Sequence, residues 1–262
     1  MLKTGIFLDV QNLIRCGGWG VRFKVIRELA EAQGGVILRA NAYLEFDRER
    51  EEQDSDHRRK RSEFRDAIRR AGFQVVTKEV RRYRNADGET TLKANTDLDL
   101  VVDALVQSNG LDHIVLGTGD GDFVRLVRAL QDRGKRVDLI SFSGTSEELR
   151  RAVDFHFPGY LVPGLLPMQT DDPNRVRGIM HWVNEEKGFG FLTVREGLEL
   201  DDVCEDVFCH LNDFEHRDGR ALTNKSFAYL KTRQTILEFS TEEQSDGKLK
   251  ALAVTEFQPA LD

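Results

Sequence analysis

The sequence predicts an α/β domain with a parallel sheet and helices on both faces, followed by a small all-β barrel. Strand and helix patterns alternate in the first part of the chain, and a group of prolines then interrupts them. After the prolines, short strand patterns separated by turn residues follow one another. A chain of 262 residues is long enough for one large domain or two modest ones.

The alternation before the prolines is the evidence for a parallel sheet. Apolar, strand-like runs occupy residues 6–9, 36–44, 73–80, 113–117 and 136–141. Between them, helical patterns cover residues 21–33, a charged segment 47–63 that leads into a helix ending near Gly72, and residues 96–107, 122–133 and 146–155. The first helix has Val25, Ile26 and Leu29 at helical spacing and stops at Gly34. Because parallel strands need a crossover between them, this pattern predicts a helix-covered sheet.

The sequence pattern changes in the second part of the chain. Four of the five prolines fall at Pro158, Pro163, Pro167 and Pro173, which predicts a linker over residues 161–174 between domains at 1–160 and 175–258. Strand patterns follow at 176–182, 188–194, 207–210, 235–239 and 250–256. About five short strands in so short a segment are typical of a small closed barrel.

Composition narrows the functional classes. No apolar stretch approaches the roughly 18 residues that span a bilayer, and the amino terminus lacks a cleavable signal pattern, so we expect no membrane association. Three cysteines, Cys16, Cys204 and Cys209, form no disulfide framework. We therefore expect a cytoplasmic protein.

The net charge of −7 is unevenly distributed. Residues 1–157 carry 27 Lys and Arg against 26 Asp and Glu, whereas residues 158–262 carry 11 against 19. Basic residues surround the acids of the first part, and those that we expect to guide a nucleic acid are Arg58, Arg59, Lys60, Arg61, Arg81, Arg82, Arg84 and Lys93. An acidic centre with basic surroundings suits a phosphate polymer that approaches bound metal ions. The alternative is that these cations only solvate helix faces.

Aspartates gather in three segments that adjoin predicted strand ends. Asp9 ends the first strand, Asp120 and Asp122 follow the fourth, and Asp97 and Asp103 lie on the helix between them. Because the carboxyl ends of parallel strands share one sheet edge, these side chains should converge, and converging carboxylates repel unless they protonate or bind a cation. A hard ion such as Mg²⁺ or Mn²⁺ fits oxygen ligands. Taken singly, each aspartate could instead be a turn or cap residue.

These segments resemble the NYN family of the PIN-like nuclease superfamily, also called the LabA-like group, over residues 1–160. The shared motifs are Asp9-Val-Gln-Asn12, Asp97 with Asp103 six residues later, and Thr118-Gly-Asp-Gly-Asp-Phe123. The resemblance implies a PIN-like fold and a metal-dependent ribonuclease site in which Asp9, Asp97, Asp120 and Asp122 bind Mg²⁺ or Mn²⁺. It implies that Asn12, Thr118 and Asp103 orient these ligands, and it leaves the role of Asp99 open.

The C-terminal segment resembles cold-shock domains, which have the oligonucleotide-binding barrel fold. The matching motifs are KGFGFL at 187–192 and VFCHL at 207–211. The resemblance implies a base-stacking surface, helped by Lys187, from the aromatic residues Trp182, Phe189, Phe191, Phe208 and His210. Val183 and Leu211 stand where the family commonly has Phe, and the segment is acidic. A barrel that contacts proteins is therefore the alternative.

These expectations combine into a metal-dependent endoribonuclease whose barrel helps to bind RNA, with single-stranded RNA as the partner. The first alternative is a non-catalytic RNA-binding regulator that keeps the acidic pocket. The second is a Mg²⁺-dependent phosphatase, although Gln11 stands where dehalogenase-like phosphatases have a second aspartate. Exonuclease action and a homo-oligomeric state stay open.

Overall fold

The computed structural model describes residues 1–84, 90–93, 96–168, 172, 174–215 and 222–258, with only the backbone described for 81–84 and 90–93. The chain divides into two compact units between Pro158 and Gly159. Each unit is described by itself below.

The first unit is built on a parallel sheet. Its strands are β1 (Leu2–Asp9), β2 (Gly35–Phe46), β3 (Gln74–Glu79), β4 (Arg81–Arg84), β5 (Thr90–Lys93), β6 (His113–Gly117), β7 (Arg136–Ser141) and β8 (Phe155–Pro158). Its helices are α1 (Val10–Arg15), α2 (Phe23–Ala32), α3 (Arg48–Gln53), α4 (Ser55–Arg70), α5 (Thr96–Gln107), α6 (Val124–Gln131) and α7 (Glu147–Ala152). The structure confirms the predicted fold class for this unit.

The strand order places a crevice at the centre of the sheet. Six strands pair in the order β3-β2-β1-β6-β7-β8, and each of these pairs is parallel. The chain moves outward from β1 through β2 to β3, and it then returns to β6 on the other side of β1. Ligands of open α/β sheets bind at such a reversal, beyond the carboxyl ends of the strands. The crevice between the ends of β1 and β6 is therefore the first place to look for a site.

Burial explains why β1 lies at the centre. Its last six residues are all buried, as expected for a strand that is covered on both faces. On one face, Phe7 and Tyr43 pack in a core with Leu100 of α5 and Val127 of α6. Fully burying an apolar side chain of this size contributes about 1.5–3 kcal/mol, so this core anchors α5 and α6 firmly to the sheet.

Four features differ from the sequence prediction. The predicted helix at 146–155 ends at Ala152, and β8 follows it as an additional edge strand. Pro158 is tolerated because it is the last residue of an edge strand, where it interrupts no central ladder. Helix α1 and the antiparallel hairpin β4–β5 were also outside the prediction, since α1 has only six residues and each hairpin strand only four.

The second unit contains a closed barrel, again as predicted. Its strands are β9 (Arg175–Asn184), β10 (Phe189–Arg195), β11 (Val203–His210), β12 (Ile236–Glu243) and β13 (Leu249–Glu256), and α8 (Asn224–Thr232) precedes β12. They close in the order β10-β11-β13-β12-β9. Inward residues such as Leu192, Val207 and Phe239 are fully buried, and Phe227 of α8 joins them. Alternate residues of the strands therefore face outward.

Within the described ranges, no helix combines the length and apolar character that crossing a membrane requires.

Candidate active site

Asp9 lies at the crevice between β1 and β6. It is the last residue of β1 and caps α1, since its Oδ1 accepts a hydrogen bond from the Asn12 amide at 3.0 Å. Its Oδ2 lies 3.5 Å from the Thr118 hydroxyl, which donates to it. The residue is only 6% exposed. A carboxylate held by two donors at this depth is positioned rather than freely rotating.

The loop after β6 is locked in place around Asp9. The Asn12 side-chain oxygen accepts a hydrogen bond from the Gly119 amide at 2.7 Å. The buried Thr118 hydroxyl oxygen accepts from the Asp120 amide at 3.2 Å, and the Asp120 carboxylate accepts from the Asp122 amide at 3.0 Å. These bonds fix the backbone that carries both aspartates.

Electrostatic coupling shows that the three segments meet. Burial raises the pKa of Asp9 to about 6, and the charges of Asp97 and Asp120 add to the rise, although hydrogen bonds from Asn12 and Thr118 oppose it. Burial also raises the pKa of Asp97, with further contributions from Asp120 and Asp122 and an opposing one from Arg15. The four acids predicted to bind metal thus lie within electrostatic reach of one another.

The donor set suits a hard divalent cation, because it consists of carboxylates whose mutual repulsion such a cation would relieve. As they stand, however, no three His, Cys, Asp or Glu side chains in the described part of the chain are arranged closely enough to hold a metal ion.

The two other acids of α5 have protein partners. Asp103 accepts a hydrogen bond from the Tyr43 hydroxyl at 2.8 Å, and burial raises the pKa of that tyrosine. Tyr43 is the register partner of Asp9 across β1 and β2, so Asp103 faces the sheet beside the site. Asp99 forms an ion pair with Lys78 of β3 at 2.8 Å. Sequence reasoning missed Tyr43, because only the strand register brings it next to Asp9.

The predicted basic residues fall into three groups. Arg58, Arg59 and Lys60 are exposed on α4, and Arg59 pairs with acids of the same helix. Arg61 folds back instead and donates to the Glu45 carbonyl oxygen at 3.2 Å. Burial lowers the pKa of Arg61. The remaining members are carried on the β4–β5 hairpin, and their side chains lie outside the described residues: Arg81, Arg82, Arg84 and Lys93.

The barrel carries an outward-facing aromatic surface on three neighbouring strands. Phe191 of β10 is the register partner of both Trp182 on β9 and Phe208 on β11, and the ring centroids lie 5.7 and 6.1 Å away. Phe189 lies 5.5 Å from Phe208 and pairs in register with His210. Trp182 is 42% exposed. The structure thus brings the predicted stacking residues together on one face.

Positive charge lies near this aromatic surface. Lys187 is exposed in the turn between β9 and β10. A hollow beside Phe191 and Phe208 is also lined by Lys248 and Lys250 of the β12–β13 hairpin. Lys250 forms an ion pair with Asp213 at 2.8 Å, so part of its charge is neutralised. Cys209 points into the barrel core, and burial raises its pKa to about 12.

A hydrogen-bonded Thr-His-Asp chain lies at the opposite ends of the strands. His113 bonds Thr4 at 3.1 Å and Asp138 at 2.9 Å, and Arg136 pairs with Asp138. His113, Thr4 and Asp138 are each fully buried. A substrate cannot reach these three side chains. Their hydrogen bonds join β1, β6 and β7, and we assign them a structural role.

Comparisons with known proteins agree with this geometry. The NYN domain family matches residues 3–160. The low amplitude and bright protein LabA of Synechococcus elongatus is 33% identical over 94 residues, which are 35% of this chain and 50% of that protein. Cold shock-like protein CspG of Escherichia coli is 34% identical over 82 residues, 31% of this chain and 96% of that protein, and its similarity falls in the C-terminal region. Glycine-rich protein 2 of Nicotiana sylvestris is 32% identical over 88 residues, 34% of each chain.

The coverage of these relatives differs. The chain spans about half the length of LabA and about a third of glycine-rich protein 2, but nearly all of the cold shock-like protein. A crystal structure of a protein of unknown function from Vibrio parahaemolyticus covers 60% of this chain and 92% of its own, with 25% identity and a TM-score of 0.49. The family match and the cold shock-like relative confirm both resemblances noted in the sequence.

Proposed function

Because the chain belongs to the NYN domain family over residues 3–160, we propose that it is a metal-dependent ribonuclease whose barrel contributes to RNA binding. The observation that carries the proposal is the coupling of Asp9, Asp97 and Asp120. These residues come from separate segments of the sequence. The charges of Asp97 and Asp120 raise the pKa of Asp9, and the charge of Asp120 raises the pKa of Asp97. Acids gathered from separate segments into one crevice are what a cation-assisted reaction on phosphates requires.

We assign Asp9, Asp97, Asp120 and Asp122 as the residues that would hold Mg²⁺ or Mn²⁺. Such an ion, when bound, lowers the pKa of a coordinated water and neutralises charge on the phosphate. Neighbouring residues of the protein hold these acids in position. Asn12 fixes the loop through the Gly119 amide, and Thr118 orients both Asp9 and the Asp120 amide.

RNA reaches the crevice with the help of surface features on both units. The exposed cations Arg58 and Lys60 attract phosphate from one unit. The aromatic surface centred on Phe191 provides base stacking on the second unit. The acidic character of the barrel weakens stacking less than it weakens phosphate attraction. We place the protein in the cytoplasm, since three cysteines make no disulfide framework.

Asp120→Asn tests the assignment. Cleavage of labelled single-stranded RNA, with Mg²⁺ or Mn²⁺ and with a chelator, should fall roughly 10²–10³-fold in the variant, the loss typical of removing one preorganised electrostatic group. Asp132→Asn, an exposed aspartate of the same unit, is the matched control and should cleave at the parent rate. Circular dichroism verifies the fold of both variants. Unchanged cleavage in Asp120→Asn would remove the nuclease assignment.

The second candidate is a non-catalytic RNA-binding regulator. It is favoured by the absence, among the described residues, of three acids or other ligands close enough to hold a metal as they stand. In that case the parent protein binds single-stranded RNA through the barrel but leaves it intact with either metal. Mn²⁺ would then also fail to raise the melting temperature of the first unit.

A further inference from the structure

An exposed tryptophan projects from the loop that follows α1. Trp19 is 51% exposed, although tryptophan gains more than most side chains from burial. The loop has the sequence Cys16-Gly-Gly-Trp-Gly20, so Trp19 stands between glycines. Scattered apolar residues on a surface are ordinary, and Trp19 needs an explanation only because of where this loop is held.

The loop is anchored rigidly at the carboxyl edge of the sheet. The Cys16 carbonyl oxygen accepts a hydrogen bond from the Ser143 amide at 2.9 Å, just beyond the end of β7. The Gly18 amide donates to the Leu13 carbonyl oxygen at 2.8 Å. A Cβ at Gly18 would lie 2.4 Å from the Phe142 ring, so only glycine permits this close approach.

A tight turn then presents the indole. The Val21 amide donates to the Gly18 carbonyl oxygen at 3.1 Å, which places Trp19 and Gly20 at the two central positions. Gly20 has a φ of 80°, a conformation that glycine adopts without strain. The backbone beneath Trp19 is therefore fixed on both sides while its side chain stays in solvent.

The anchored loop adjoins the carboxylates. Helix α1 begins directly after Asp9 and has only six residues before Cys16. The charges of Asp9 and Asp120 act on the Cys16 thiol and, after burial, are the next causes of its raised pKa. Trp19 is three residues further on, within about 10 Å of Cys16 along the chain. The loop that carries Trp19 therefore lies at the same edge of the sheet as the carboxylates.

Two exposed arginines lie within four residues of Trp19 in the sequence. Arg15 is exposed, pairs with Glu45 at 3.4 Å, and lies close enough to Asp97 to oppose the rise of its pKa. Arg22 is exposed at the start of α2, three residues after Trp19. An exposed aromatic side chain on a loop with basic residues is the combination with which proteins bind single-stranded nucleic acids.

We propose that Trp19 stacks on a base of single-stranded RNA beside the phosphodiester that the carboxylate crevice receives. This substrate contact rests on the proposed ribonuclease function, which it makes specific for unpaired nucleotides. A base within a duplex has both faces covered by its neighbours, so Trp19 favours strands whose bases are unstacked.

Fluorescence isolates Trp19 because the chain has only two tryptophans. The double variant Trp182→Phe/Asp120→Asn retains Trp19 as its sole tryptophan and should leave RNA uncleaved. Titration with a short oligouridylate should quench this emission with the same Kd as anisotropy of the labelled RNA. An emission that stays constant while anisotropy reports saturation overturns the proposal, and so does an absence of RNA binding at low salt.

Steady-state cleavage in the otherwise unchanged chain gives the second readout. Trp19→Ala should raise KM for single-stranded RNA roughly 5- to 150-fold, the equivalent of about 1–3 kcal/mol per stacked base, with kcat nearly unchanged. Trp19→Phe should recover part of the loss. Tyr229→Ala is the matched control, because Tyr229 is an aromatic side chain of similar exposure, 52%, on α8, a helix that carries no residue assigned to RNA here. An unchanged KM in Trp19→Ala overturns the proposal.

The two hypotheses fail differently. If the parent protein cleaves no RNA but the emission of Trp19 is still quenched by it, the ribonuclease function is wrong and the stacking contact stands. If cleavage is robust and Trp19→Ala cleaves with parental KM, the function stands and the stacking contact is wrong.

Discussion

Replacing Asp9 by asparagine should stabilise the protein at neutral pH. Asp9 is 6% exposed, and burial, aided by the charges of Asp97 and Asp120, raises its pKa from 3.8 to about 6. The folded state therefore prefers the neutral carboxyl, whereas the unfolded state ionises freely above pH 3.8. As the pH rises from 3.8 through about 6, folding must increasingly accommodate a buried negative charge. Above about pH 6 that cost is constant.

The size of the effect follows from the pKa shift. A rise of about two units corresponds to about 3 kcal/mol at neutral pH. The asparagine side chain of Asp9→Asn would keep an oxygen that can accept from the Asn12 amide, so little is lost in exchange. For a unit of this size, about 2–4 °C per kcal/mol gives a melting temperature about 6–12 °C higher for Asp9→Asn at about pH 7.5. Below pH 3.8 the two proteins should melt together.

Thermal unfolding between about pH 3 and pH 8, followed by far-ultraviolet circular dichroism, measures this difference. Most helices belong to the first unit, so the signal reports chiefly on it. The exposed Asp132→Asn variant should show no such pH-dependent gain. Mn²⁺ should stabilise the parent protein and leave Asp9→Asn unchanged. A variant that melts below the parent at neutral pH, or by the same margin at every pH, would refute the reasoning.

Two further predictions concern RNA binding. Changing Arg58 and Lys60 to glutamine should weaken RNA binding and reduce the slope of log affinity against log salt by about one per lost phosphate contact; an unchanged slope would show that they only solvate α4. The same change at Arg61 should instead cost about 1 kcal/mol of stability in urea unfolding, because its bond to the Glu45 carbonyl is lost. Phe191→Ala should lower RNA affinity by about 1–3 kcal/mol in anisotropy titrations of the full chain, and parental affinity would contradict stacking on the barrel.

The sequence was sufficient to predict a strand or helix where an apolar pattern is bounded by turn residues. The strand-like run at 113–117 is the strand His113–Gly117, and the run at 136–141 is Arg136–Ser141. Periodicity failed where structure depends on position in the sheet. From the sequence alone, Pro158 predicts an interruption of regular secondary structure, yet a proline is acceptable at the end of an edge strand.

The convergence of the acidic segments was predictable because parallel strands bring their carboxyl ends to one edge. Their partners were not. The bond between Asp103 and Tyr43 depends on the packing of α5 against β2, and the position of Tyr43 beside Asp9 depends on the register of β1 with β2. No local pattern encodes either. Trp19 was missed for a similar reason. A tryptophan between glycines has no periodicity, and its position depends on the bond between Cys16 and Ser143, which are distant in sequence.

Two opposing effects act on the residues at the crevice. Repulsion among Asp9, Asp97 and Asp120 favours separation, and it is large enough to contribute to a pKa of about 6 in the folded state. The bond from the Gly119 amide to Asn12 and the Thr118 hydroxyl resist that separation by fixing the loop to α1. Since the acids destabilise the fold and the amides around them only hold it in place, packing alone gives no reason for the cluster. Under the proposed function, a cation that neutralises the acids would supply the reason, and the Mn²⁺ dependence of stability tests it directly.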